Sequence, residues 1–197
     1  MISRFLLLII SCCIFVSCSK DDIIFEIDRS AKQTLERERA AWNAQSIKNY
    51  QFTYYQGGGY VCEVYGDLTT KIAISENQEP LFIEKSPNFP EDRITLKSIS
   101  DIYDMVDGMI NDFLLRMEII KAIKTGKEIP YGEDNPFNFN SQNISNIKSE
   151  HLIIKYNAQY HYPEYVDRYT EYKETVLGYY GGFILRLTEF TPVLNKN

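Results

Sequence analysis

The stretch that decides the fold runs from residue 98 to residue 126 and reads SISDIYDMVDGMINDFLLRMEIIKAIKTG. Its apolar residues recur at spacings of three and four, the period of one helix face. They are Ile99, Ile102, Val106, Ile110, Phe113, Met117 and Ile120. Ser98 or Ser100 can cap the start, and Gly126 suits the end. Because the polar face is not rich in lysine, the stripe predicts a long helix packed on a sheet rather than one lying on a membrane.

Short segments rich in aromatic and β-branched residues, a composition typical of strands, flank this helix. They are residues 50–56, 60–65, 71–75 and 81–84 before it, and 151–156, 165–173 and 183–190 after it. A second helical pattern covers residues 30–47, with Ala31, Leu35 and Trp42 on its apolar face. This order indicates an α+β domain. We expect a mostly antiparallel sheet, with the N-terminal helix and the long amphipathic helix packed on one face.

Two connecting segments carry glycine or proline. The run Gly57, Gly58, Gly59 leads into a strand pattern instead of a helix, which favours a hairpin over a phosphate loop. Residues 126–148 contain Pro130, Gly132 and many Asn and Ser residues. They predict a long surface loop.

The first 22 residues, MISRFLLLIISCCIFVSCSKDD, have the three parts of an export signal: basic Arg4, an apolar run over residues 5–16, and small Ser17. The apolar run is too short to cross a bilayer, which needs about 20 residues. The segment therefore predicts cleavage after export.

The residues Phe15, Val16 and Ser17 before Cys18 resemble the bacterial lipobox, with Phe15 standing where leucine is usual. The resemblance implies that Cys18 is the lipidated first residue of the mature protein. Cys12 is a second candidate, and a non-lipidated signal or a retained anchor is another alternative. We expect a signal peptide at residues 1–17, a lipidated tether at 18–29 and one α+β domain at 30–192. The polar residues after Cys18 either direct the lipoprotein to the cell surface or are a plain linker.

Charge and cysteine content limit the partners. The formal net charge of the chain is -6, and removing Arg4 with the signal makes it -7. An acidic chain without a basic stripe is a poor partner for nucleic acid, and none is expected. Cys62 is the only cysteine left in the predicted domain, so no internal disulfide can form there. We interpret Cys62 as a small buried side chain, with a reactive thiol as the alternative.

The candidate functional residues are tyrosines near the C terminus. Tyrosine offers apolar area with a hydrogen-bonding tip, which suits proteins, peptides and glycans. We predict a binding patch of Tyr160, Tyr162, Tyr165 and Tyr169, on a strand whose Asp167 and Glu171 share the face of the last two. Plain cross-strand packing on a half-exposed sheet is the alternative.

Catalytic and metal-binding patterns are weak. No serine lies in a G-x-S-x-G motif, and His151 and His161 are the only histidines. A metal site of His161, Glu164 and Asp167 is conceivable, but no cofactor is expected. The alternative to a binding module is a hydrolase of envelope polymers, which needs two carboxyl groups with displaced pKa values in a concave pocket.

The order Trp42, Ile47, Tyr50 and Phe52, then a strand with Cys62, then the Ile-rich helix resembles an uncharacterised bacterial family called domain of unknown function 6174. In the C-terminal part of the chain, the resemblance is carried by Ile153, Lys155, Tyr156 and Asn157, followed by Tyr162 and Pro163. The similarity covers most of residues 40–190. The resemblance implies export or lipid anchoring, and it carries over no activity and no catalytic residue. From the anchor, the tyrosine surplus and the weak catalytic patterns, we expect a non-enzymatic, lipid-anchored protein of the bacterial envelope, at the outer membrane.

Overall fold

The computed structural model describes residues 22–57, 68–76, 78–85, 97–130, 132, 136–173 and 182–193. Seven strands and three helices lie in these ranges. In chain order they are β1 Ile24–Glu26, α1 Ala31–Ala44, β2 Tyr50–Gly57, β3 Leu68–Ile74, β4 Leu81–Lys85, α2 Ile99–Thr125, α3 Ser141–Ile144, β5 Ile147–Tyr156, β6 Pro163–Tyr172 and β7 Phe183–Pro192. The predicted strand at 60–65, with Cys62, and the predicted hairpin residues Gly58 and Gly59 lie outside the described residues.

The described strands form one sheet in the order β1-β5-β6-β7-β2-β3-β4. Every pairing is antiparallel except that of β1 with β5, which is parallel. The chain has an α+β fold with a mostly antiparallel sheet, as predicted. None of the helices in the described ranges has the length and apolarity needed to cross a lipid bilayer.

The long helix α2 begins and ends where its sequence indicates. Ser98, not Ser100, is the N-cap, and its hydroxyl accepts a hydrogen bond from the Asp101 amide while the Asp101 carboxylate accepts one from the Ser98 amide. A third contact was not foreseen: the Tyr50 hydroxyl accepts a hydrogen bond from the Ile99 amide at 3.0 Å. Gly126 ends the helix in the left-handed region, at φ 64°.

One core lies between the helices and a single face of the sheet. Every second residue of the central strands points into it, including Phe52 and Tyr54 of β2, Val166 of β6 and Leu187 of β7. The predicted α2 stripe is buried from Ile99 to Phe113, whereas Met117 is only half-buried. Trp42 is 5% exposed and contacts Tyr50 edge-on at 5.5 Å between ring centroids. It anchors the core, as predicted.

The segment predicted as a long surface loop is partly structured. The short helix α3 has a capping box of Asn140 and Asn143, and its Ile144 is buried against Ile120. The Phe139 ring lies 4.6 Å from the Arg116 guanidinium, which also pairs with buried Glu150 at 2.5 Å. The segment therefore shields a buried ion pair, an interaction over long sequence distances that local composition does not reveal.

The sheet extends into the predicted tether. Ile24, Phe25 and Glu26 pair with Ser149, Glu150 and His151, so sheet structure is present before residue 30. Phe25 packs edge-on against Phe113 at 6.5 Å. Strand β1 thus brings part of the predicted tether into the fold.

Candidate functional site

The sheet face that points away from the helices is the candidate site, and we call it the open face. Side chains alternate along each strand, so the neighbours of the core residues lie here: Tyr55 beside Tyr54, Tyr165 beside Val166 and Arg186 beside Leu187. In the described part of the chain, the buried residues of α1, and those of α2 from Ile99 to Phe113, belong to the core on the other face. This face therefore stays accessible in that part of the chain.

Four side chains form a line across the open face. The strand register places Lys155 opposite Tyr165, Tyr165 opposite Arg186, and Arg186 opposite Tyr55. We call this line the cation–tyrosine row. The Lys155 ammonium lies 5.3 Å from the Tyr165 ring centroid, and the Arg186 guanidinium lies 5.7 Å from Tyr165 and 5.6 Å from Tyr55. Each tyrosine is thus held in place by a cation from a neighbouring strand.

Two further contacts fix the tyrosines of this row. The Tyr165 hydroxyl donates a hydrogen bond to Asp167 at 2.8 Å, and burial together with this carboxylate raises the pKa of Tyr165. The Tyr55 ring lies along its strand over Gly57, since a Cβ atom added at Gly57 would come within 2.7 Å of the Tyr55 hydroxyl. The rings are therefore pre-positioned before any partner binds.

A chain of polar contacts lies beside the row, towards β1. His151 Nδ1 is 2.9 Å from Glu26 Oε2, and His151 Nε2 is 2.7 Å from Ser149 Oγ. Ser149 in turn donates a hydrogen bond to Glu171 at 2.9 Å. The Tyr169 ring stacks on His151 at 4.2 Å between centroids. The chain of contacts ties β1 through β5 to β6.

Glu26 contacts His151, and His151 contacts Ser149, as the acid, histidine and serine of a catalytic triad do. The geometry of the three residues does not suit catalysis. Ser149 is 2% exposed, and its strand is paired on both sides, by β1 and by β6. Its hydroxyl proton is directed at Glu171 rather than at His151. An acyl substrate has no approach to this oxygen. We interpret the contacts as a clamp that holds β1.

The structure divides the predicted tyrosine patch. Tyr165 and Tyr169 lie on the open face, whereas Tyr160 and Tyr162 lie on the core side. Tyr162 is 3% exposed, and burial raises its pKa to about 12. Tyr160 packs on Phe190 at 4.8 Å between ring centroids. The four residues do not form one surface, so that prediction is wrong for Tyr162.

The three residues considered for a metal site each contact a different partner. His161 Nδ1 is 2.8 Å from Glu38, Glu164 accepts a hydrogen bond from Asn157, and Asp167 accepts one from Tyr165. Among the described residues, no group of three His, Cys, Asp or Glu side chains could hold a metal ion.

The shifted carboxyl groups do not suit a general acid. Burial alone would raise the pKa of Glu38, but hydrogen bonds from Arg37 and His161 lower it. Hydrogen bonds from Ser30 lower the pKa of Asp28, and hydrogen bonds from Lys148 and Ser149 lower that of Glu171. A general acid needs a raised pKa. These three groups give no support to a carboxylate-dependent hydrolase, which stays a hypothesis.

Sequence patterns did not reveal Lys155, Arg186 or Tyr55 as site residues. In the sequence of β7, Phe183, Leu185 and Leu187 alternate with Ile184, Arg186 and Thr188, and this pattern is sufficient to place Arg186 on the face away from the core. The sequence pattern does not give the register between strands that are far apart in sequence.

Comparison with family models, with curated proteins and with solved structures gives no match to this chain. Its function must therefore be inferred from its own surface.

The hydrogen bonds that Glu171 accepts predict that its contribution to the free energy of unfolding depends on pH. Because its pKa in the folded protein is below the ordinary 4.5, Glu171 stabilises the fold above about pH 4.5, and this stabilisation is lost as the pH falls through the folded pKa. We expect Glu171→Gln to lower the free energy of unfolding near neutral pH, by a difference that shrinks towards zero in acid. Urea unfolding across pH 3 to 7 measures it.

Glu118→Gln, on the exposed side of α2, is the matched control. It should give a smaller difference than Glu171→Gln near neutral pH. A pH-independent difference for Glu171→Gln would contradict the assignment of Glu171 to the clamp.

Proposed function

We propose that this chain is a lipid-anchored, non-enzymatic binding module of the bacterial cell envelope, and that the open face contacts its protein, peptide or glycan partner. The observation that carries the proposal is the cation–tyrosine row on the open face. A surface of ordered aromatic rings with polar tips and adjacent charges is typical of recognition sites.

The energetic reason lies in the ordering of the side chains. Binding normally costs conformational entropy for each flexible side chain that becomes fixed. Here the Tyr165 hydroxyl is already bonded to Asp167, and its ring already lies between Lys155 and Arg186. The row crosses four adjacent strands, which corresponds to a length of about 14 Å. It is long enough for several residues of a peptide or several sugars.

The charges of the face favour a partner with polar groups of both signs. Lys155 and Arg186 are exposed cations, and Glu171 and Glu189 are exposed carboxylates on the same sheet. Such a mixed surface gives specificity by matching charges, more than it gives affinity by burying apolar area.

The anchor proposal rests on Cys18 and on the position of β1. Ile24 is the first sheet residue in the part of the chain that the structure describes, and the chain from Cys18 to Ile24 can extend at most about 20 Å. A lipid on Cys18 would therefore hold the domain close to the membrane, at the outer membrane in our proposal. Two or more acyl chains are needed for a stable attachment.

The open face is tested by photo-crosslinking in cells that produce the full-length protein. A photoreactive phenylalanine at Thr188, an exposed open-face position two residues from Arg186, should give a discrete adduct. Arg186→Ala should reduce its yield several-fold, since it removes one cation of the row. The same probe at Glu118 on α2 is the control and should not give this adduct. Two results would show that the open face is not the binding surface. One is an adduct that forms only from the probe at Glu118, and the other is an adduct whose yield is unchanged by Arg186→Ala.

The anchor is tested separately. Cys18→Ala should abolish palmitate labelling and globomycin-sensitive processing, because it removes the thiol that accepts the lipid. Cys12→Ala is the matched control and should leave both unchanged. Palmitate labelling that persists in Cys18→Ala would contradict the lipid-anchor proposal without affecting the open-face proposal.

A further inference from the structure

A groove lies on the helix side of the sheet, where α1 stops covering α2. The first residues of α1 reach only the middle of α2, with Lys32 paired to Asp107. Beyond this point α2 faces strand β1 and the residues that follow it. The space between them is a cavity of about 530 Å³, with a floor of Phe25, Ile27, Ala31, Ile110, Leu114 and Met117.

Two apolar side chains of α2 that line the groove are partly exposed. Met117 belongs to the α2 stripe but is only half-buried, and Leu114 is 38% exposed although it is a large apolar residue. Both line the cavity. Apolar side chains left in contact with water at a concave site indicate a surface that a ligand can cover.

The rim of the groove is positive, in contrast to the net charge of -6 of the chain. Arg29, Lys32 and Lys121 line the cavity, and among the described residues Asp28 is the only carboxylate that does so. The Asp28 carboxylate already accepts hydrogen bonds from the amide and the hydroxyl of Ser30, at 2.8 and 2.7 Å. Arg29 has no ion pair within the described residues, and the Lys121 ammonium lies 5.6 Å from the Phe25 ring centroid. Two cations are thus available for an anionic ligand.

We propose that this groove binds a single-chain anionic amphiphile, namely a fatty-acid carboxylate. The acyl chain would lie on the apolar floor between β1 and α2, and the carboxylate would pair with Arg29 and Lys121. The volume falls within the range of about 300 to 1,000 Å³ that is usual for small-molecule sites. The groove and the open face lie on opposite sides of the sheet, so this ligand is distinct from the partner proposed above.

The proposal is tested by photoaffinity labelling of the full-length protein in isolated membranes. The probe is a dodecanoate analogue that carries a diazirine and an alkyne, and labelled peptides are mapped by mass spectrometry. Label is expected on the α2 peptide that contains Leu114 and Met117, and excess dodecanoate should remove it. The matching probe with an alcohol in place of the carboxylate should label this peptide at least about fivefold less, because it lacks the charge that pairs with the rim.

Two variants and one control separate the groove from general partitioning into the bilayer. Leu114→Asp should reduce labelling at least about fivefold, since it places a charge on the apolar floor. Leu81→Asp is the control, an exposed leucine on β4 at the far edge of the sheet, and should label like the wild type. If Leu114→Asp fails to fold, as judged by circular dichroism, the exposed pair Arg29→Glu and Lys121→Glu takes its place and should also reduce labelling. Equal labelling by both probes, or labelling that the groove variants do not change, would overturn the proposal.

Discussion

The packing of the apolar stripe of α2 on one face of the sheet is the interaction on which the rest of the structure depends. Its residues from Ile99 to Phe113 are almost fully buried, and truncating one such side chain to alanine typically costs about 2 to 5 kcal/mol. The helix is fixed at its start by the Ser98 cap and by Tyr50, and at its end by Gly126. Because the stripe packs on one face of the sheet, the helices of the described ranges leave the other face uncovered.

How well each element could be predicted depends on how local its determinants are. The bounds of α2 follow from a periodic stripe, a cap and a glycine, all within one stretch of chain. The three-residue strand β1 could not be predicted, since its pairing with β5 joins segments more than 120 residues apart. The four tyrosines predicted as one patch do not share one surface, for a related reason. The turn before β6, where His161 has a φ of 66°, places Tyr160 and Tyr162 on the core side.

Strand β1 connects the proposed anchor with both proposed binding surfaces. Glu26 contacts His151 on the open face, while Phe25 points to the helix side and lines the groove. This alternation is the ordinary geometry of a strand. It means that part of the predicted tether contributes to both sides of the sheet. The polar clamp of His151, Ser149 and Glu171 keeps this short strand in register, although its three residues alone offer few ladder contacts.

The central claim is that packing on the helix side of the sheet supplies most of the stability, whereas the cation–tyrosine row on the open face contributes little to it and is proposed to bind the partner. Neighbouring residues on β7 test it, because Leu187 is 3% exposed and faces the core while Arg186 is exposed on the open face. The measurement is the free energy of unfolding in urea of Leu187→Ala and of Arg186→Ala. We expect a loss of about 2 to 5 kcal/mol for Leu187→Ala and of at most about 1 kcal/mol for Arg186→Ala. Equal losses for the two variants would show that the open face is part of the stabilising core, and would contradict the claim.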